Sequence, residues 1–314
     1  MKSSPVNHND AHNFNRVAHE FDNFEEFNSN VRGWSLRFKQ ASRGLARVKF
    51  RHRMSSNINA LDVQFSHSTA SFGSSQPGHR TFGVVGSVGC SWCGYDANPN
   101  EILRFDVHQE FDTYTPPDFV GRTLSIEEGL LASTAEQLGF AGFMERLDKS
   151  KDILSIDHDA MNRYLNIYES KMSRETDLLI AVEELIILIE NAREDNQVSS
   201  QSVTSSHVDS ALRYVLENPS KGITVAEICR VLGIGYRTLD RSFKQRLGHG
   251  PKDSIMAFRL NGVRDDLKSS DPSALVGDIS NAWGFWHLGD FARVYRKEYG
   301  ELPSETLGSK TGSD

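Results

Sequence analysis

Cysteine is scarce in this sequence: Cys90, Cys93 and Cys229 are the three in 314 residues, an odd number and too few for a disulfide framework. With no secretory signal, the thiols are expected in a reducing, cytoplasmic setting. Long apolar runs are missing too. The most hydrophobic stretch, LLIAVEELIILIE at 178–190, carries Glu183, Glu184 and Glu190, and it falls well short of the ~20 apolar residues of a membrane-spanning helix. The N-terminus, MKSSPVNHNDAHNFNRVAHEF, is polar and rich in Asn and His. It has no apolar core of a signal peptide or anchor, so no membrane association is expected.

Signatures of catalysis are also absent. No HExxH, Walker A or G-x-S-x-G run occurs, and Gly83, Gly86 and Gly89 are spaced by threes without the G-x-G-x-x-G order of a dinucleotide loop. Asp106, His108 and Glu110 suggest an acid/base cluster, yet DVHQEFD alternates like a strand. Cys90-Ser-Trp-Cys93 has the spacing of a redox pair or half a metal site, but no second CxxC follows, and a structural zinc needs four ligands. Residues three apart in a strand face opposite sides, so the pair converges only in a turn. The expectation is a protein that is not an enzyme, with no cofactor, no metal and no catalytic residues.

Charge is present but uneven. The net charge of −7 divides into −8 over residues 1–203 and +1 over 204–314. Residues 32–53 hold eight cations (Arg32, Arg37, Lys39, Arg43, Arg47, Lys49, Arg51, Arg53) and no acid, whereas 125–195 hold 16 acids against seven bases. Mutual attraction between a basic sheet surface and acidic helices accounts for both; capture of an anionic ligand is the alternative.

Composition divides the chain. Residues 1–24 read as a polar segment. Residues 25–124 hold short β-rich runs, ARVKF, LDVQFS, TFGVVGSV and EILRFDV, between Gly, Pro and Asn turns, which suggests an antiparallel sheet or small barrel. Trp34, Phe50, Phe65, Phe82, Trp92, Phe105 and Phe111 are candidates for a core or a pocket lining. Residues 125–195 read as helical: Ser125 with Glu128 fits a capping box, and Leu178, Val182, Leu185, Ile186 and Ile189 recur at helical spacing. NQVSSQSVTSSH, at 196–207, reads as a linker.

The last hundred residues repeat themselves. Sliding the chain by 52 pairs Leu239 with Phe291, Arg241 with Arg293, Phe243 with Tyr295, Leu247 with Tyr299, Gly248 with Gly300 and Pro251 with Pro303. Sliding by 51 pairs Val225 with Val276, Ile228 with Ile279, Leu232 with Trp283 and Gly233 with Gly284. One extra residue therefore sits in the second turn. Each copy predicts a short helix, a glycine turn and a longer helix ended by glycine, the helix-turn-helix arrangement. Thr224 caps the first helix, Gly233 permits the reversal, and Leu239, Phe243 and Leu247 face back onto Val225, Ile228 and Leu232. The opposite face keeps Arg237, Asp240, Arg241 and Lys244, suited to a major groove.

With these motifs in hand, residues 208–308 resemble the double helix-turn-helix domain of AraC/XylS-family transcription regulators. Gly284, Phe285, Phe291, Tyr295, Tyr299, Gly300 and Pro303 match the second unit, and GFWH and GELPSETL are closest to the XylS and ethanolamine-regulator branch. SIMAFRLNGVRDDLK, at 254–268, is similar to the connecting helix, with Ile255, Phe258, Leu260 and Leu267 as core positions. The resemblance implies an α+β protein: an N-terminal β-barrel-like, cupin-like effector domain with helices, and a C-terminal all-α double helix-turn-helix domain.

It also implies roles. Arg237, Asp240, Arg241, His287, Leu288 and Arg293 are the base-reading candidates; Thr224, Lys244, Arg296 and Lys297 are the phosphate contacts. Asp290 departs from the pattern: it reads a cytosine amine or pairs with Arg293. Phe243, Trp283, Phe285, Phe291, Tyr295 and Tyr299 are expected in the core, with Trp286 open. The two second helices would enter successive major grooves, ~34 Å apart. The implied partners are double-stranded DNA, RNA polymerase, a small-molecule effector such as an aromatic acid or small amine, and a second copy paired through Leu178, Val182, Leu185 and Ile189. The expected activity is that of an activator; the competing reading is an architectural DNA-binding protein without a sensor, against which the long front half argues.

Overall fold

The computed structural model describes residues 14–31, 35–105, 110–169, 174–192 and 203–308. Its first part runs β1 (Asn15–Phe21), α1 (Phe24–Asn30), β2 (Ser35–Gln40), β3 (Val48–Met54), β4 (Ile58–Phe65), β5 (Thr69–Ser74), β6 (His79–Val85), β7 (Cys90–Trp92), β8 (Tyr95–Ala97), β9 (Glu101–Phe105), β10 (Phe111–Thr115) and β11 (Phe119–Glu127). There follow α2 (Glu128–Gln137), α3 (Phe143–Lys149), β12 (Ile153–Ser155), α4 (His158–Glu169) and α5 (Glu175–Glu190). The second part is helical: α6 (Val203–Glu217), α7 (Val225–Leu232), α8 (Tyr236–Leu247), α9 (Pro251–Ser269), α10 (Val276–Ala282), α11 (Leu288–Tyr299) and α12 (Pro303–Gly308).

The strands form two antiparallel sheets, one ordered β1-β3-β4-β11-β6-β9-β12 and the other β2-β5-β10-β7-β8. Side chains that alternate with a period of two give each sheet two working faces. In the larger sheet, Ile58 and Ala60 of β4 join Leu124 and Ile126 of β11 beneath α2 to α5, while Leu61 and Phe65 turn into the space between the sheets. In the smaller sheet, Trp92 and Phe111 point into that space, and Ala70, Phe72 and Tyr114 point away from it, into one core with α6, α8, α9 and α11. The molecule is thus a stack: helices, large sheet, interior, small sheet, helical domain.

Between the sheets lies a cavity of about 80 Å³ walled by Phe65, Leu103, Phe105, Phe111, Phe119 and Trp92 among others. Trp92 packs 4.2 Å from Phe105 and 4.9 Å from Phe111, centroid to centroid. Of the seven aromatics singled out in the sequence, Phe65, Trp92, Phe105 and Phe111 line this cavity, Phe50 and Phe82 pack in the core, and Trp34 lies outside the described residues.

Several boundaries shift. The segment read as a polar tail contains β1, which pairs with β3 along its whole length; only Phe21 at its end is buried, so the strand lacks the apolar alternation by which an edge strand is recognised. Ser125 does not cap a helix: it lies in β11 and accepts a hydrogen bond from Thr81 Oγ1 at 2.8 Å, and the cap is Glu127, whose carboxylate accepts from Leu130 N at 2.7 Å. The stretch read as wholly helical also holds β12, paired with β9. In the linker, 196–202 lie outside the described residues, and α6 already begins at Val203.

The ion pairs seen among the described residues do not join the acidic helices to the basic run; Arg53 meets α4 by donating to the Tyr168 carbonyl at 3.4 Å. Arg51 and Arg53 both pair with Asp62 at 2.7 Å on the neighbouring strand, and Lys39 and Arg43 reach the helical domain. The helices' acids meet other arginines instead: Glu128 and Asp148 meet Arg80, and Glu169 meets Arg122. Leu178, Val182, Leu185 and Ile189 are buried in the chain's own core against the large sheet, so this stripe is not a free face for a second copy.

Candidate nucleic-acid interface

The first unit is α7, a turn and α8. Thr224 precedes α7, and its hydroxyl accepts from Glu227 N at 3.2 Å, satisfying one of the orphan donors of the first turn. The chain reverses at Gly233, whose φ of 67° is open to glycine at no steric cost. Leu239, Phe243 and Leu247 are buried with Ile228, which leaves Arg237, Arg241 and Lys244 exposed on the other face of α8. Asp240 is half-buried and bridges to Lys244 at 2.8 Å; this hydrogen bond holds the Lys244 ammonium above its usual range. Arg246 belongs elsewhere: its side chain, 8% exposed, leaves the basic face and meets Asp96 of β8 at 3.1 Å.

The second unit, α10 to α11, repeats the plan with larger parts. At Gly284, φ 78°, a Cβ would sit 3.0 Å from the Gly222 backbone, so the turn packs too closely for any side chain. Phe291, Tyr295, Tyr299 and Trp283 are buried as expected, Phe285 is half-buried, and Trp286 is exposed. The Trp283 indole donates to Asp266 Oδ2 at 2.6 Å, Tyr299 Oη donates to Asn261 Oδ1 at 2.6 Å, and Tyr295 Oη is 2.9 Å from Thr306 Oγ1. His287, Leu288, Arg293, Arg296 and Lys297 are exposed. Asp290 resolves its ambiguity within the free chain by pairing with Arg293 at 2.9 Å. The two units are joined by α9, where Ile255, Phe258, Leu260 and Leu267 are buried. The ten residues named from sequence thus collect on two helices, α8 and α11, and at two N-cap positions, Thr224 and His287.

A second set of residues escaped the sequence reading. The small sheet docks on the helical domain through buried polar contacts, Lys39 Nζ to Asp265 Oδ2 at 2.9 Å, Asn261 Nδ2 to the carbonyls of Gln40 and Ser42 and Ser91 Oγ to Asp209 Oδ2 at 2.8 Å, and through a half-buried ion pair, Arg213 to Asp112 at 2.8 Å. Burial pushes the Asp209 carboxyl up to about 7, against the bond from Ser91. These are single polar residues scattered over five elements and a loop, and no local spacing announces them.

Among the described residues no group of three or more His, Cys, Asp or Glu is placed to hold a metal. Cys90 and Cys93 are free thiols, and burial pushes them up to about 12 and about 11, away from the reactive thiolate. Asp106 and His108 lie outside the described residues.

Two short helices joined by a tight turn, with cations on the outer face of the second, are the DNA-binding helix-turn-helix, and this domain holds two of them. A family profile described as a helix-turn-helix domain matches residues 228–309. The probable thc operon regulatory protein of Rhodococcus erythropolis is 35% identical over 98 residues, 31% of this chain and 30% of that protein. The XylDLEGF operon transcriptional activator of Pseudomonas putida is 35% identical over 99 residues, again 31% and 30%. The matched segment thus spans less than a third of the length of these relatives. The crystal structure of the AraC-like transcriptional activator CuxR aligns over 85% of this chain and 100% of its own at 18% identity, with a TM-score of 0.41. The C-terminal domain is of the AraC/XylS type. No helix among the described residues is long and apolar enough to cross a membrane.

Proposed function

We propose that the whole chain is a cytoplasmic, sequence-specific transcription regulator, an activator, whose DNA affinity is set by a small molecule held between its two sheets. The observation that carries this reading is the doubled motif with both cationic faces open: Arg237 and Arg241 on α8, and Arg293, Arg296 and Lys297 on α11. Arg237, Asp240 and Arg241 read bases in one groove and His287, Leu288 and Arg293 in the next; Lys244, Arg296, Lys297 and the Thr224 hydroxyl hold phosphates.

The small sheet supplies the coupling. Along β10, Phe111, Thr113 and Thr115 line the cavity, whereas Asp112 holds Arg213 and Tyr114 packs into the core of the helical domain. A strand one residue thick separates the two. The cavity, about 80 Å³, is smaller than the ~150 Å³ that accepts benzene, so a ring-sized guest must displace Phe105 of the large sheet or Trp92 and Phe111 of the small one, and the latter two carry the sheet on which the domain sits. An apolar, aromatic lining favours an aromatic acid over a small amine. This seat for a sensor stands against the purely architectural alternative, and no residue is assigned a catalytic role. A homodimer and a contact with RNA polymerase follow from the family resemblance; a dimer would use a face other than the Leu178 stripe.

The test is selection of bound sequences from random duplex DNA with the full chain at fixed, near-physiological salt. Enrichment of two specified blocks about one turn apart supports the reading. Salt-sensitive binding without an enriched motif would mean that the helices grip phosphates alone, and the regulator assignment would give way to the architectural one.

A further inference from the structure

The two units present different surfaces where the recognition helix begins. In the first, Gly235 precedes α8. In the second, its place is taken by Trp286, and the one inserted residue, His287, precedes α11. Trp286 is 61% exposed and Leu288, at the first position of α11, is 48% exposed. Leu275, which stands where the first unit has Thr224, is 66% exposed and makes no cap. Neither ring nor branch is loose: a Cβ at Gly222 would meet Trp286 Nε1 at 3.4 Å, and one at Gly277 would meet Leu288 Cδ1 at 3.5 Å. The fold braces two large apolar groups against small residues and leaves their outer faces to water.

Charge complementarity names the occupant. The same helix carries exposed Arg293, Arg296 and Lys297, with Asp290 already paired to Arg293, so the surface around the apolar pair suits a polyanion. The major groove of a duplex offers one kind of apolar group, the 5-methyl of thymine. We infer that Trp286 and Leu288 read thymine methyl groups at the entrance of the second recognition helix, and so make the second unit selective for T·A pairs by shape and burial rather than by hydrogen bonds. The inference rests on the DNA-binding reading above. Trp286 goes beyond the residues expected from the family resemblance; at the entrance of the first recognition helix the exposed ring is that of Tyr236, 57% exposed, at the position equivalent to Leu288.

Replacing thymine by deoxyuridine deletes the methyl and nothing else. The full chain is bound to its selected duplex, and each thymine in each block is exchanged in turn. One or two thymines in the block held by α11 should lose about fourfold in affinity each, the worth of one buried methyl. In Trp286→Ala or Leu288→Ala the same exchange should have no effect, while the salt dependence of binding, which counts phosphate contacts, stays as in the unaltered chain. Deoxyuridine without effect throughout that block overturns the inference, as does an unchanged loss in both variants. An equal loss of affinity by the variants on thymine and deoxyuridine duplexes also overturns it, and assigns the apolar pair to another partner. A failure of the underlying reading shows earlier and differently: the chain then selects no duplex at all.

Discussion

Thr224 and Leu275 hold the same place in the two units, one residue ahead of the first helix, and only Thr224 caps it. Inside the units the correspondence is close: Leu239, Phe243 and Leu247 are buried in one, and Phe291, Tyr295 and Tyr299 in the other. Outside, Arg241 and Arg293 keep the correspondence, but the helix entrances differ, with Gly235 against Trp286 and His287. A buried position must fill a fixed gap between two helices, so its spacing survives duplication. A position facing DNA has no such duty to the fold and is free to diverge toward a different sequence of bases. The second unit moreover fills its core with larger rings, and therefore needs Gly262, where a Cβ would meet Trp283 ring atoms at 2.4 Å, and partners for two phenols.

The comparison can be broken from its core outward. Phe243→Ala should cost the first unit ~3–5 kcal/mol, read as a lower denaturation midpoint of the full chain. Gly262→Ala, one methyl added under Trp283, should cost ~1–3 kcal/mol by overpacking the second unit, with Trp283 fluorescence reporting the displaced ring. Arg241→Ala should leave the fold intact and weaken binding by ~1–3 kcal/mol at one base pair of the first block, with preference in the second block unchanged.

The docking of the first unit adds a pH dependence. Asp209 has a carboxyl raised from 3.8 to about 7 by burial, so the folded chain keeps a proton that the unfolded chain releases between about pH 4 and 7. Its contribution is therefore fullest below pH 4, declines as pH rises to 7 and is flat beyond. Melting temperatures taken at pH 5 and pH 7.5 should differ in that direction, and Asp209→Asn should reduce the difference. The smallest effects sit at the caps. Thr224→Ala should cost ~1 kcal/mol and Leu275→Ser should gain a similar amount, both measurable by thermal unfolding.

What could be read from the residues alone was what is encoded locally. Two glycines at matching offsets, apolar residues every four and a basic opposite face specify a helix-turn-helix before any tertiary contact is known. Partner choice is different. The stripe Leu178, Val182, Leu185 and Ile189 announces an apolar face, but only the topology decides that the large sheet covers it. Arg246 stands among three exposed cations in sequence, and the packing of α8 on the small sheet sends it to Asp96 instead. Lys39 and Asp265 lie 226 positions apart, and neither carries a local mark of the other. β1 is nearly all exposed, so backbone pairing with β3 makes it a strand where side-chain pattern does not.

The central claim is that both units read DNA, each its own block, from one docked chain. Hydroxyl-radical footprinting of the full chain on its selected duplex measures this directly. Two protected blocks on one face of the helix, about one turn or ~34 Å apart, with Arg241→Ala opening the first and the joint change of Arg296 and Lys297 to Ala opening the second, is the predicted result. A single protected block, indifferent to changes in α11, would contradict it and leave the second unit as a structural copy of the first.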